Sequence, residues 1–142
     1  MFWKGPVFTR NGFVGKGIDL ENCNIISDID GGENGIIIPL FRNCHTHLGD
    51  TLARKEIPKD LSLSELVGPN GWKHKWLENN DQRTSAIAGL KEIINSGTGL
   101  VMDFREGGKA GLNVFDNIEY PGKLILLGRP VNNEGLPGSN AG

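Results

Sequence analysis

Cysteine, histidine and long apolar runs are all scarce in this 142-residue chain, and each scarcity narrows its reading. The two cysteines, Cys23 and Cys44, have no CxxC spacing, so no disulfide framework is expected and a reduced, intracellular setting is the default. No apolar run approaches the roughly 18 residues that a membrane helix requires, so no membrane partner is expected. Neither sign of charge dominates: 15 Lys and Arg oppose 17 Asp and Glu, for a net charge of −2. Without a basic stripe, nucleic acid has no electrostatic footprint to bind. The first residues, Met1-Phe2-Trp3-Lys4-Gly5-Pro6, lack the basic and continuous apolar regions of a secretory signal, and a cytoplasmic location is expected. There are no internal repeats. The length suits one domain but falls short of a complete (β/α)8 barrel, which takes about 250 residues and 200 at the least.

What is present is enough for a core. Leu, Ile, Val and Phe supply 40 of the 142 residues. The 21 glycines and 7 prolines make up a fifth of the chain, below the roughly 25–30% that marks low-complexity disorder. Up to residue 35, short apolar stretches alternate with turn pairs such as Asn11-Gly12, Asp30-Gly31-Gly32 and Asn34-Gly35, which reads as a small antiparallel β element. Cys23 to Ile29 is its clearest strand. Ile36 to Phe41 is instead a nearly continuous apolar run, of the kind buried on both faces of a parallel sheet.

Further on, Ser62 and Glu65 form a capping-box pattern that opens a short helix ending at Gly68-Pro69. Trp72 to Leu77 reads as a second short helix, with Trp72 and Trp76 as its anchors. The best helix runs from about Asp81 to Asn95. Its apolar set, Ala86, Ile87, Leu90, Ile93 and Ile94, falls on one face, and Gly97 is its stop. Leu100 to Phe104 and Leu124 to Leu127 read as buried strands, each ending in polar residues. Lys109 to Ile118 has weak helical spacing, and the chain beyond Pro130 has little left to pack. Alternating strands and helices argue for βαβ units on a parallel sheet.

His45-Thr46-His47 carries the sharpest chemistry. Residues i and i+2 of a strand point to one face, so both imidazoles can reach one ion. The pair also follows a buried strand, and strand C-terminal ends are where ligands bind in α/β folds. Two solvated loop histidines are the alternative. Alternation groups Phe41, Asn43, His45 and His47 on one face, and Arg42, Cys44 and Thr46 on the other. Cys44 then reads as a packed thiol. Arg42 is costly under helices unless it lies near a rim.

The segment Ile37-Ile38-Pro39-Leu40-Phe41-Arg42-Asn43-Cys44-His45-Thr46-His47-Leu48-Gly49-Asp50 resembles the first barrel strand of the metal-dependent amidohydrolase superfamily, in its deaminase/chlorohydrolase-like, archaeal-type branch. Later segments agree: Pro69 to His74, Gly97-Thr98, Asp103 to Gly108, and Leu127-Gly128-Arg129-Pro130. Leu40 stands where the family usually has glycine, and Arg42 where it usually has an apolar residue. The resemblance implies an α/β fold: a partial (β/α) barrel of about three of eight strands over residues 39–142. An N-terminal portion of a small β-sandwich over residues 1–38 would precede it.

It also implies a divalent metal, zinc foremost with iron or manganese as alternatives, held by His45 and His47. The metal would activate a water that hydrolyses C–N (non-peptide) or C–Cl bonds of a small, cyclic compound. The family's later histidines and its aspartate, which doubles as general base, have no counterpart in this sequence, so no catalytic residue is assigned. Asp103 and Arg105 are candidate substrate contacts, with a structural ion pair as the alternative. His74 is a third candidate contact, or a plain surface histidine. Asp50 is a candidate for orienting a histidine, or a loop residue. A complementary C-terminal half or self-association would be needed for the remaining ligands. The competing readings are a truncated or split-gene remnant that is not catalytic alone, and a small α/β binding module.

Overall fold

The computed structural model describes residues 1–32 and 34–131. The tail read above as unpacked lies, from residue 132 onward, outside the described residues. Two compact units divide the chain, Met1–Leu40 and Phe41–Gly142.

The first unit is a three-stranded antiparallel sheet of β1 (Phe2–Thr9), β2 (Gly12–Asp19) and β3 (Asn24–Ile26). The turn between β1 and β2 is closed by Thr9, whose hydroxyl accepts the Asn11 amide at 3.2 Å. An N-terminal portion of a small β-sandwich was expected; the described residues of this unit form one sheet. The strand expected over Cys23 to Ile29 shrinks to three residues.

The run from Ile36 to Phe41 departs further from expectation. It forms no buried strand. Ile37 lies alongside β1 through a single parallel bridge to Val7, donating its amide to the Pro6 carbonyl and accepting that of Phe8, both at 2.9 Å. Its neighbours Ile36, Ile38 and Leu40 are 68, 52 and 61% exposed. The strand itself begins five residues later than the apolar run.

The second unit is built on a three-stranded parallel sheet in the order β4 (Phe41–Thr46), β5 (Thr98–Arg105), β6 (Lys123–Gly128). Between β4 and β5 come a 3-10 segment (Leu48–Lys55) and the helices α1 (Leu63–Val67), α2 (Trp72–Asn79) and α3 (Gln82–Asn95); α4 (Gly108–Asn113) joins β5 to β6. The parallel α/β arrangement agrees with the sequence reading.

Local chemistry explains the helix ends. Ser62 and Glu65 complete a reciprocal capping box at α1. Asp81 caps α3 by accepting the Arg83 amide at 2.9 Å, and Gly97, at φ +82°, takes the left-handed conformation that lets the chain leave that helix. The buried face of α3 is Ser85, Ala86, Gly89 and Leu90. Small residues there let the 3-10 segment approach closely, and the Ser85 hydroxyl accepts the Leu52 amide at 3.0 Å. Ile87, expected in the core, is displaced to a position 48% exposed.

One core gathers Leu48, Ala86, Leu90, Val101 and Phe115. A second joins Ala53, Trp76 and Leu77, where the Trp76 indole donates to Glu56 at 3.0 Å. Among the described residues no helix is long and apolar enough to cross a membrane.

Leu90→Ala leaves a void in the packed core and is expected to cost about 2–4 kcal/mol of stability in urea titration. Ile87→Ala, on the same helix, is expected to cost under about 1 kcal/mol.

Candidate functional site

The histidine pair sits where β4 ends. In β4 the pairing with β5 runs from Asn43 opposite Val101 to Thr46 opposite Asp103, so β4 spends one more residue than β5 over that stretch. Such a bulge re-aims side chains, and bulges concentrate beside functional sites. Here it delivers the two rings to each other: His45 Nε2 and His47 Nε2 lie 3.2 Å apart.

Phe104 of β5 supports both. Its ring stacks on His45 with centroids 4.4 Å apart, and its carbonyl oxygen lies 3.2 Å from His47 Nδ1. A carbonyl can only accept, so this hydrogen bond requires the proton on Nδ1 and leaves the His47 Nε2 lone pair facing His45. The donor set suits a metal ion. Two zinc–nitrogen bonds of about 2.0–2.1 Å meeting at a tetrahedral angle separate their nitrogens by roughly 3.3–3.4 Å, close to the spacing found. Among the described residues, however, no group of three His, Cys, Asp or Glu converges on one point.

A cavity of about 590 Å³ opens over the pair, lined by His45, His47, Phe104, Arg105, Glu106, Leu127, Gly128 and Arg129. These come from the C-terminal ends of all three parallel strands and the residues just after them, as expected for this class of fold. A neighbouring cavity of about 680 Å³ shares Glu106 and Arg129 and is lined by His74 and Glu78 as well. His74 thus lies beside the histidine pair's cavity rather than in it.

Among the described residues, Asp50 is paired with a lysine rather than a histidine. Its carboxylate binds the Lys73 ammonium at 3.0 Å. Lys73 also binds Glu106 at 3.2 Å, and it is Glu106 that lies 3.7 Å from His47 Nδ1. Burial alone would raise the Glu106 carboxyl, but the charge and hydrogen bond of Lys73 more than reverse this and hold it below the usual glutamate range. Glu106 and Lys73 escaped the sequence reading. The available signal was the position of Glu106 directly after a strand C-terminus.

Asp103 and Arg105 occupy the opposite face of β5, toward the helices. They are 0 and 2% exposed, with Arg105 Nη1 3.5 Å from Asp103 Oδ2. The two form the structural pair offered above as the alternative, and Arg105 is also among the residues that line the cavity. Arg105 donates from Nη2 to Gln82 Oε1 at 2.6 Å and from Nε to the Gly111 carbonyl at 3.2 Å, and its guanidinium lies 5.2 Å from the Phe115 ring centre. Gly49 has no side chain to fill the space that the guanidinium occupies. Burial raises the Asp103 carboxyl above its ordinary value of 3.8, against the Leu48 amide, the Thr46 hydroxyl and Arg105. Cys44, expected as a packed thiol, is exposed, because β4 pairs only with β5 among the described strands. Arg42 on the same strand reaches solvent, consistent with a rim position.

Known proteins resemble this chain over about two thirds of its length. The chain is 41% identical over 102 residues to a protein of Archaeoglobus fulgidus and 32% identical over 104 residues to one of Methanothermobacter thermautotrophicus, each named "Putative aminohydrolase". It is 34% identical over 97 residues to a 5'-deoxyadenosine deaminase of Methanobrevibacter smithii. The chain belongs with the amidohydrolase-type proteins. The matches take in 70, 66 and 67% of this amidohydrolase-type chain, which spans only 29, 26 and 22% of those relatives. No protein-family profile matches it, and no solved structure does.

Arg105→Ala would strand a buried carboxylate and is expected to cost about 3–5 kcal/mol, measured by urea denaturation. The folded state holds the Asp103 proton more tightly than the unfolded chain does. The Asp103 contribution therefore favours the fold below pH 3.8 and is lost as pH rises through the raised folded value. Asp103→Asn is expected to flatten that part of the stability–pH profile.

Proposed function

We propose that this chain supplies the first metal-binding portion of a hydrolase that cleaves C–N (non-peptide) bonds of a small, cyclic compound. The observation that carries the reading is the 3.2 Å spacing of the two Nε2 atoms within a cavity at the strand ends. In this reading His45 and His47 hold a divalent ion, zinc foremost. The bound ion would lower the pKa of a water and polarise the scissile group. The chain's own residues prepare the site. The Phe104 carbonyl fixes the His47 tautomer, the Phe104 ring backs His45, and Lys73 keeps Glu106 ionised beside the rings. The cavity would seat the substrate, with the Arg129 and Glu106 side of it as the polar wall.

The names of the relatives support hydrolysis. One of them is named for deaminating an aminated purine nucleoside, which makes such compounds the first to test. The proposed architecture is the opening part of a (β/α) barrel, and the proposed partners are the small substrate and whatever polypeptide completes the ligand set, a complementary half or a second copy.

A second reading, a remnant that binds metal without turnover, is favoured by one observation: no third ligand converges on the pair among the described residues. The two readings differ in ammonia release. The first expects release from aminated heterocycles once the remaining ligands are provided; the second expects none under any condition. Both expect zinc in the purified chain, and expect His45→Ala, His47→Ala to lose it, by elemental analysis. Equal zinc in the parent and the double variant would overturn the ligand assignment.

A further inference from the structure

Asp103 is buried, lies outside the cavity and is bonded to both neighbours of His47. Its Oδ1 accepts the Leu48 amide at 2.6 Å and the Thr46 hydroxyl at 2.8 Å, the latter also lying 3.1 Å from the Met102 carbonyl. One oxygen thus grips the chain immediately before and after His47, at the point where β4 ends and the 3-10 segment begins. The other oxygen, Oδ2, is buried without a hydrogen-bond partner and faces the Arg105 guanidinium. That group is itself tethered to α3 through Gln82 and to the Gly111 carbonyl, so the carboxylate has little freedom to turn.

We infer that Asp103 is a positioning residue for the metal site: it clamps the Thr46 side chain and the Leu48 backbone amide, on either side of His47, and so fixes where that ring points. The inference rests on the reading of His45 and His47 as ligands. The clamp acts on the Thr46 hydroxyl and the Leu48 backbone amide, and the Phe104 carbonyl acts on the ring. With both in place the His47 Nε2 lone pair is directed at His45. Groups that orient a metal ligand from behind typically account for about 10- to 100-fold in metal affinity. A merely structural role for Asp103 would alter stability and leave ring orientation and affinity alone.

The test uses the 142-residue chain with Asp103→Ala, Thr46→Val and Thr46→Ser. Thr46→Val removes one arm of the clamp without exposing a buried charge, and it carries the test should Asp103→Ala fail to fold by circular dichroism. Two readouts are taken. The first is cobalt(II) affinity from visible absorption. The second is the His47 tautomer in metal-free protein, from nitrogen-15 chemical shifts of the ring.

Thr46→Val is expected to weaken cobalt binding about tenfold or more and to reduce the Nδ1–H population of His47. Thr46→Ser is expected to restore both. A folded Thr46→Val chain with parental affinity and tautomer would overturn the clamp. Should the parent bind no cobalt, the ligand reading fails by itself. The tautomer measurement then decides the clamp alone: a fall in Nδ1–H supports it, and no change overturns it.

Discussion

A charged pair sealed inside a small α/β unit is an expensive thing to fold around, and the second unit of this protein is arranged about one. The attraction between Asp103 and Arg105 repays the loss of water only if the other polar atoms of both groups are also met. Arg105 finds Gln82 at the start of α3 and the Gly111 carbonyl in α4; Asp103 finds the chain on either side of His47. Each of these partners comes from a different segment. The pair therefore ties the central strand to the elements before and after it, and the histidines inherit their placement from that tie.

The two faces of β5 divide the labour. Val101, Asp103 and Arg105 point into the helical side, where apolar packing and the ion pair hold the unit together. Phe104 points the other way, to the histidines and the cavity. One strand thus couples core to site through alternation alone. It also explains how a carboxylate with no access to the cavity can matter to a ring that borders it.

Much of this was legible from residue order, and what was not has physical causes. Local signals held where the physics is local. The capping box at Ser62 and Glu65, the Asp81 start and Gly97 end of α3, and the strands around Val101 and Ile125 depend on near neighbours. The Ile36 to Phe41 run misled because an apolar stretch records the wish to be buried but not which residues find a hydrogen-bonding partner. The partners of β5 begin at Phe41. Spacing placed Asp103 and Arg105 on a common face, but in a parallel strand apolar on both sides it cannot tell which face meets the helices. Glu106 and Lys73 meet across 32 intervening positions; the short helix that carries Lys73 was legible, but not what it packs against. The Ile87 error has a similar origin: Gly89 and Ser85 won the buried face because the 3-10 segment needed room.

The double use of Phe104 leaves the two histidines unequally exposed to mutational drift. His45 leans on a side chain, so any substitution at position 104 that shrinks or removes the ring withdraws its support. His47 leans on a main-chain carbonyl, which every amino acid at that position would still provide. Amino-acid replacement at one position can therefore loosen half of the pair while the other half stays moored, and only a shift of the strand itself would release both.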